Sequence, residues 1–538
     1  MSRRSQYPEP MAAIARSRLG VRSLASPAPA SSPSPSRSVR PRTLARGRGG
    51  RHARSLAARA DAASDAAADD ALGRWVTARG GDVSALRVGH GPRGRGLFAA
   101  RDIAEGEAVL RVPIHAALSD DRACDAPYPG APWSVVLASR LLAQRALGPD
   151  AEHAPYLASL PAETIGVAND PEVASADLDR VAALLADDDA AEELERYASL
   201  LVGAFGATTL GAALTNPSPS PSPTPSPGPA ADASRVASPD ADDGPGALDA
   251  WRWAMSQVHS RTFRVERPVR GGDGESSGAR RSGTNTRTTR LLVPFADLLN
   301  HDSRERVRQC AWDCEWDEGG EDAGAGASSG SFVVRAVRAM KEGEEALVSY
   351  GERTDAHFCL FYGFLPEPNP HNQVALFPSL EDAAAWYEAL CRESEGEGER
   401  GDERKDERER EARAWAEARA RAVDATRREF DARSSKEGPS SSSARERERD
   451  PDPSGSSDAA LRVGEDATVD ERLIRLFSIL SGDEDVAVAA ARVRAKAALD
   501  EARARDAAAE LAFPNPSRAV ELARGYRARR RALLEAIA

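Results

Sequence analysis

The sequence is poor in lysine, aromatic residues and cysteine, it has no long apolar run, and each shortage narrows what the chain can be. Lysine occurs only at Lys341, Lys405, Lys436 and Lys496, although lysine and arginine together number 72. That bias reads as the coding tendency of a GC-rich genome and not as a nucleic-acid signal. The formal net charge is -12, and no concentrated basic face follows the N-terminal region, which excludes general binding to phosphate backbones. Aromatics make up 5% of the 538 residues, and long stretches offer nothing to bury, so the folded mass is smaller than the length suggests. Cys124, Cys310, Cys314, Cys359 and Cys391 form no regular framework, which points to a reducing compartment and not a disulfide scaffold. No apolar run approaches the roughly 20 residues that span a bilayer, so a soluble protein without membrane association is expected.

Low-complexity text divides the chain. Residues 1–60 carry thirteen arginines against one acid, Glu9, with many Ser, Ala and Pro. This fits an organelle transit peptide, Ser/Pro-rich and weakly amphipathic in the plastid manner; a disordered basic tail is the other reading. Residues 216–247 begin NPSPSPSPTPSPGP, where repeated proline fixes φ and removes donors, so extended solvated chain is expected. Residues 271–288 are Gly/Ser/Arg/Thr-rich and read as a loop, and residues 392–457, packed with Glu, Arg, Asp and Ser, read as a charged disordered insertion, partly helical at most.

Between these lie ordered patterns. From Leu86 to Pro113 short apolar runs alternate with glycine turns, predicting a hairpin or meander. Pro132 suits a helix start, Trp133, Val136, Leu137 and Leu141 recur at helical spacing, and Gly148 stops the run. Strands are predicted at Leu291–Phe295, Phe332–Val337 and Ala346–Tyr350. Asp470 caps a predicted helix with Leu473, Leu476, Phe477 and Leu480 on one face and Gly482 at its end. The order is β-rich first and α-helical last.

Several short motifs carry chemistry. Gly94-Arg95-Gly96 permits a tight turn or a close backbone approach. Asn300-His301, after Pro294 and Asp297, joins an amide that donates and accepts to an imidazole; alone it also reads as a capped turn with a surface histidine. Tyr350 and Tyr362, each alone, read as core aromatics with a bonded hydroxyl. Cys310, Cys314 and Cys359 lack paired CxxC spacing, so no metal is expected. His301 with Asp297 and Ser303 suggests a hydrolase triad, but no nucleophile-elbow context surrounds them.

Three separated segments together resemble the SET-domain methyltransferases, in the branch of the Rubisco large-subunit lysine methyltransferase. They are GRGLFAARDIAEGEAVLRVP from Gly94, VPFADLLNH from Val293, and GEEALVSYGERTDAHFCLFYGFLPEPNPHNQV from Gly343. Weaker matches are PWSVVLASRLLAQRALG, PYLASLP and WRWAMSQVHSRTFRV. The resemblance implies an α+β fold: a β-rich SET domain with a knot-like C-terminal segment and an inserted helical subdomain, then an all-α substrate-binding domain. It places the domains at 70–376 and 377–538. It implies S-adenosyl-L-methionine as cofactor, S-adenosyl-L-homocysteine as product and no metal. Tyr350 would be catalytic and line a substrate channel with Tyr362. Arg95, Gly96, Leu97, Arg261, Asp297, Asn300, His301 and Tyr362 would bind the cofactor, Arg261 near its carboxylate. The sequence departs from the family at Glu163–Leu214, Ala/Asp-rich where relatives carry an acidic, Trp-containing stretch.

The implied activity is methylation of lysine on a non-histone protein, with Rubisco large subunit or a plastid aldolase as candidate substrates. The alternatives are protein-histidine methylation and an inactive SET-fold binding module. The expected partner is a protein bearing the target lysine, met by a monomer in the chloroplast stroma; a mitochondrion or the cytoplasm is the alternative compartment.

Overall fold

A computed structural model describes residues 66–121, 126–208, 245–268, 286–316, 330–395, 405–436, 460–515 and 517–538. The transit-peptide segment, Cys124 and nearly all of the 216–247 and 271–288 stretches lie outside the described residues.

Helix α1 (66–78) leads into a hairpin of β1 (Leu86–Gly91) and β2 (Gly94–Ala99), paired in antiparallel register from Leu86↔Ala99 to Gly91↔Gly94. Gly94 has φ +90°, a left-handed value that a side chain would strain and the tight reversal needs. Strand β3 (Ala108–Pro113) leaves this meander and pairs instead with β9 (Gly330–Ala336), which also carries β8 (Cys310–Trp316). A third sheet has the order β4-β6-β5, from Leu118–Ser119, Thr286–Leu292 and Thr262–Pro268. Small sheets and helices that share one core make this an α+β fold.

The inserted helices are α2 (Trp133–Ala146), α3 (Ala154–Ser159), α4 (Leu178–Leu185), α5 (Asp188–Ala207) and α6 (Pro245–Arg261). Helix α2 begins one residue after Pro132, and past its Leu147 cap the chain turns at Gly148, φ +60°. The divergent 163–214 stretch holds α4 and α5, and Asp177 and Asp187 cap them. Asp177 accepts from the Arg180 amide, and Asp187 from the amides of Asp189 and Ala190.

The C-terminal region is helical: α7 (Leu380–Glu395), α8 (Lys405–Lys436), α9 (Glu471–Ser481), α10 (Glu484–Ala512) and α11 (Arg518–Glu535). Helix α9 follows the sequence closely, with Asp470 bonding the Arg472 amide and Gly482 left-handed at its end. Two expectations need correction. Much of the 392–457 stretch, expected to be disordered, is the helix α8, which buries Trp415, Ala418, Ala422, Val423 and Thr426. The boundary expected between residues 376 and 377 cuts β11 (Gln373–Phe377), which pairs with β12 (Leu461–Gly464) and packs into the second, C-terminal core. In return, Phe513, Val520, Ala523 and Tyr526 from the C-terminal helices complete the first core.

Candidate active site

Two two-residue strands organise the centre. Strand β7 (Asn300–His301) lies parallel to β10 (Leu347–Val348), in the register Leu347↔Asn300 and Val348↔His301. The preceding turn is strained: Phe295 is buried with φ +73° and ψ -43°, a conformation rare for a bulky residue. Parallel pairing brings residues 49 apart into contact, and the Tyr350 amide donates to His301 Nδ1 at 3.0 Å. That bond fixes the tautomer: Nδ1 accepts, so Nε2 carries the proton and donates to Ser303 Oγ at 2.7 Å. Burial lowers the His301 pKa to about 4, which keeps the ring neutral.

The imidazole sits among aromatic rings, 5.0 Å from Tyr350 and 4.8 Å from Phe358, centroid to centroid. Tyr350 lies 5.4 Å from Tyr362, and Phe364 meets both edge-on at 6.4 Å. The Tyr350 hydroxyl donates to the Leu299 carbonyl at 2.6 Å. Burial raises its pKa well above the ordinary phenol value, so it is a neutral phenol whose oxygen keeps its lone pairs for a second contact. Arg353 buttresses this wall: its Nε donates to the Tyr350 carbonyl at 3.1 Å, and its guanidinium carbon lies 5.8 Å from the Tyr362 ring centroid.

Asn300 faces the β1–β2 hairpin. Its Nδ2 donates to the Arg95 carbonyl at 3.1 Å and to Glu345 Oε1 at 2.8 Å. Gly96 makes this possible, because a Cβ there would stand 2.4 Å from Asn300 Nδ2. The glycine expected to admit a cofactor thus admits the asparagine amide. The Leu97 side chain is fully buried, and its carbonyl accepts the Ala346 amide at 2.8 Å. Arg95 turns its guanidinium away, to the Ser159 carbonyl at 2.7 Å and to Asp69.

Two expected cofactor contacts lie behind this layer. The Asp297 side chain is 1% exposed, takes the Tyr156 hydroxyl at 3.0 Å and pairs with Arg261 Nη1 at 3.2 Å. Arg261 also holds the Asp297 carbonyl at 3.1 Å and Gln257 Oε1 at 3.2 Å. A carboxylate this deeply buried needs a counter-charge, and burial raises the Asp297 pKa even with Arg261 opposing it. The pair therefore forms an internal brace near Tyr350. The same contacts dismantle the hydrolase triad, since Asp297 does not reach His301, and His301 donates to Ser303 instead of taking its proton.

Sequence reasoning missed Phe364, Phe358, Arg353, Glu345 and Arg93. Of these Phe364 carried a signal, standing two residues after Tyr362 in Tyr362-Gly363-Phe364. A cavity of about 1110 Å³ opens nearby between the ends of α2, α6 and α11, lined by Leu142, Glu163, Trp253, Gly363 and Leu522, and Asn300, His301 and Tyr350 lie outside its wall. Among the described residues no cluster of three or more His, Cys, Asp or Glu could hold a metal ion, and no helix is long and apolar enough to cross a membrane.

This convergence of an Asn-His strand and the Tyr350 that follows its partner strand coincides with a family match: residues 94–351 match the SET domain. Residues 94–351 are thereby a SET domain. Among solved structures the chain is similar to the SET domain of LSMT bound to lysine and AdoHcy, at 15% identity and TM-score 0.47, over 87% of this chain and 90% of that one. It is similar also to Rubisco LSMT bound to AdoMet, at 14% identity and TM-score 0.43, with the same coverage. No curated protein matches the chain.

Proposed function

We propose that this protein transfers a methyl group from S-adenosylmethionine to a lysine side chain of another protein. One observation carries the reading: within a SET domain, Tyr350 stands 5.0 Å from His301 and 5.4 Å from Tyr362, with its hydroxyl proton committed to Leu299. The residues suit the cofactor's amino-acid end. Both Asn300 N–H groups are engaged, so the amide offers Oδ1, an acceptor matched to an α-ammonium group.

The cofactor supplies an electrophilic methyl on a sulfonium, and in-line attack by an amine needs an approach of about 3 Å and little covalent help. The chain provides position and environment. Tyr350, Tyr362 and Phe364 form an aromatic wall that sheds water from an incoming ammonium, favouring its neutral, nucleophilic form. With its proton anchored on Leu299, the Tyr350 oxygen directs lone pairs towards the amine and the developing charge. His301 contributes no proton: its low pKa keeps it neutral, and its two nitrogens hold the Tyr350 backbone and Ser303 in place.

For the setting, we propose the chloroplast stroma, on the strength of the arginine- and serine-rich, nearly acid-free first 60 residues. Rubisco large subunit or a plastid aldolase are the candidate substrates, met by a monomer. The test uses the chain without its first ~60 residues, labelled S-adenosylmethionine and stromal extract. Label is expected on a stromal protein as methyl-lysine by amino-acid analysis, and Tyr350→Phe is expected to lower the rate roughly a hundredfold. Methyl-histidine in the product would redirect the assignment, and no label together with no cofactor binding would leave only a scaffold role.

A further inference from the structure

We propose that Glu345 is a positioning residue that sets which face of the Asn300 amide meets the cofactor. The proposal rests on the methyltransferase reading and adds a residue to it. Asn300 Nδ2 lies between two acceptors, the Arg95 carbonyl at 3.1 Å and Glu345 Oε1 at 2.8 Å. An amide nitrogen has two N–H groups, and here each has a partner. Flipping the amide would set Oδ1 against a carbonyl oxygen and a carboxylate, exchanging two attractive contacts for two repulsive ones. Oδ1 is thereby held as the outward group.

The carboxylate is itself fixed. Its side chain is 9% exposed, and Arg93 Nη1 pairs with Oε2 at 3.2 Å, leaving Oε1 for Asn300. The other arm of Arg93, Nη2, reaches Asp302 Oδ2 at 2.6 Å, and the Asp302 amide donates to the Val348 carbonyl at 3.0 Å. The clamp therefore ties the hairpin to the paired strands β7 and β10 that carry Asn300 and lead to Tyr350. Gly96 supplies the room: a Cβ there would stand 2.4 Å from Asn300 Nδ2 and 3.0 Å from Glu345 Oε1. The arrangement selects a ligand with a positive donor at its amino-acid end. It should be indifferent to a ligand that lacks that end.

The experiment measures binding to the full chain by calorimetry, with S-adenosylmethionine and with 5′-methylthioadenosine, which keeps the adenine, ribose and thioether but has no amino-acid end. Glu345→Ala is expected to weaken S-adenosylmethionine about tenfold, the scale of a hydrogen bond to a charged group, and to leave 5′-methylthioadenosine unchanged. Unchanged binding of the truncated ligand also reports that the variant is folded around the adenosine end. Glu345→Gln, which keeps an acceptor for Asn300, should recover most of the loss. In an Asn300→Ala background the Glu345→Ala change should cost nothing further, because the two residues act as one unit. Additive losses, or equal weakening of both ligands, would overturn the positioning role while leaving the methyltransferase reading in place. A wild-type chain that binds neither ligand would overturn the methyltransferase reading and this proposal with it.

Discussion

At the scale of single residues, the centre depends on a histidine that must stay uncharged. His301 Nδ1 accepts the Tyr350 backbone amide, so protonating it breaks the bond that ties the ring to the Tyr350 backbone. Its folded pKa, lowered to about 4 by burial, lies below the ordinary 6.5. Above about pH 6.5 the ring is neutral in folded and unfolded chains alike and adds no pH dependence. As pH falls from 6.5 towards 4 the unfolded chain takes up a proton that the folded chain refuses, so stability declines by up to about 1.4 kcal/mol per pH unit on this group. Urea unfolding of wild type and His301→Gln, at about pH 6.5 and about pH 5, should show the wild type losing more stability than the variant; parallel losses would mean that the ring is not held neutral. Asn300, His301, Tyr350 and Tyr362 were legible in the sequence because they sit in compact motifs. Asp297 and Arg261, expected at the cofactor, pair with each other in the fold, a partnership that a charge in a sequence does not reveal. Glu345 and Arg93 were invisible for a plainer reason: among 84 acids and 72 basic residues, no single carboxylate or guanidinium stands out.

At the scale of elements, capping and glycine signals translated well and small-residue stripes did not. Asp470 and Gly482 mark both ends of α9, and Gly148 lies just past the end of α2. The Ala/Asp-rich 163–214 stretch looked like a departure, yet Asp170, Asp177 and Asp187 are capping side chains and Ala182, Ala183, Ala190 and Ala191 lie on helices. Helix α8 was misread because its apolar stripe is narrow. Trp415, Ala418, Ala422 and Thr426 recur at spacings of three and four and are buried together with Val423, while nearly every position between them is charged or alanine. Alanine buries little area per residue, so the stripe leans on its one large side chain, and salt links such as Arg419–Glu388 at 2.9 Å and Arg475–Glu429 at 2.7 Å add register more than energy. Trp415→Ala is therefore expected to destabilise the C-terminal helical region by about 3 kcal/mol, read as a lower denaturant midpoint and faster protease cleavage within 405–436. An unchanged midpoint would show that α8 does not depend on this packing.

At the scale of the whole molecule, the arginine-rich end of the chain clamps the helical region onto the SET domain. Tyr526 to Glu535 lies on α11, α10 and α11 pack against α4, and the arginines are specific. Arg527 is 5% exposed, pairs with Asp506 at 2.8 Å and Glu510 at 2.7 Å, and donates to the Leu184 carbonyl at 2.6 Å. Arg530 pairs with the α5 cap Asp187 at 3.3 Å, and Tyr526 bonds the same carboxylate. Arg529 reaches Asp355 at 3.3 Å and the Pro366 carbonyl, so α11 also grips the segment on either side of Tyr362 and Phe364. A clamp built from buried charge has a distinct failure mode. Removing one partner leaves the others desolvated and uncompensated, which costs about 3 kcal/mol or more, whereas losing a surface pair costs almost nothing. Arg527→Ala should thus act on the joint and not on either core, since its contacts run from α11 to α10 and to the end of α4. In calorimetry the wild type is expected to melt in one transition and the variant in two, the helical region first, with Arg503→Ala, which breaks the exposed 2.7 Å pair to Glu535, as the control that leaves the transition intact. A single transition with an unchanged midpoint in Arg527→Ala would mean that apolar packing of Phe513, Val520 and Tyr526 into the first core holds the two regions together without the clamp.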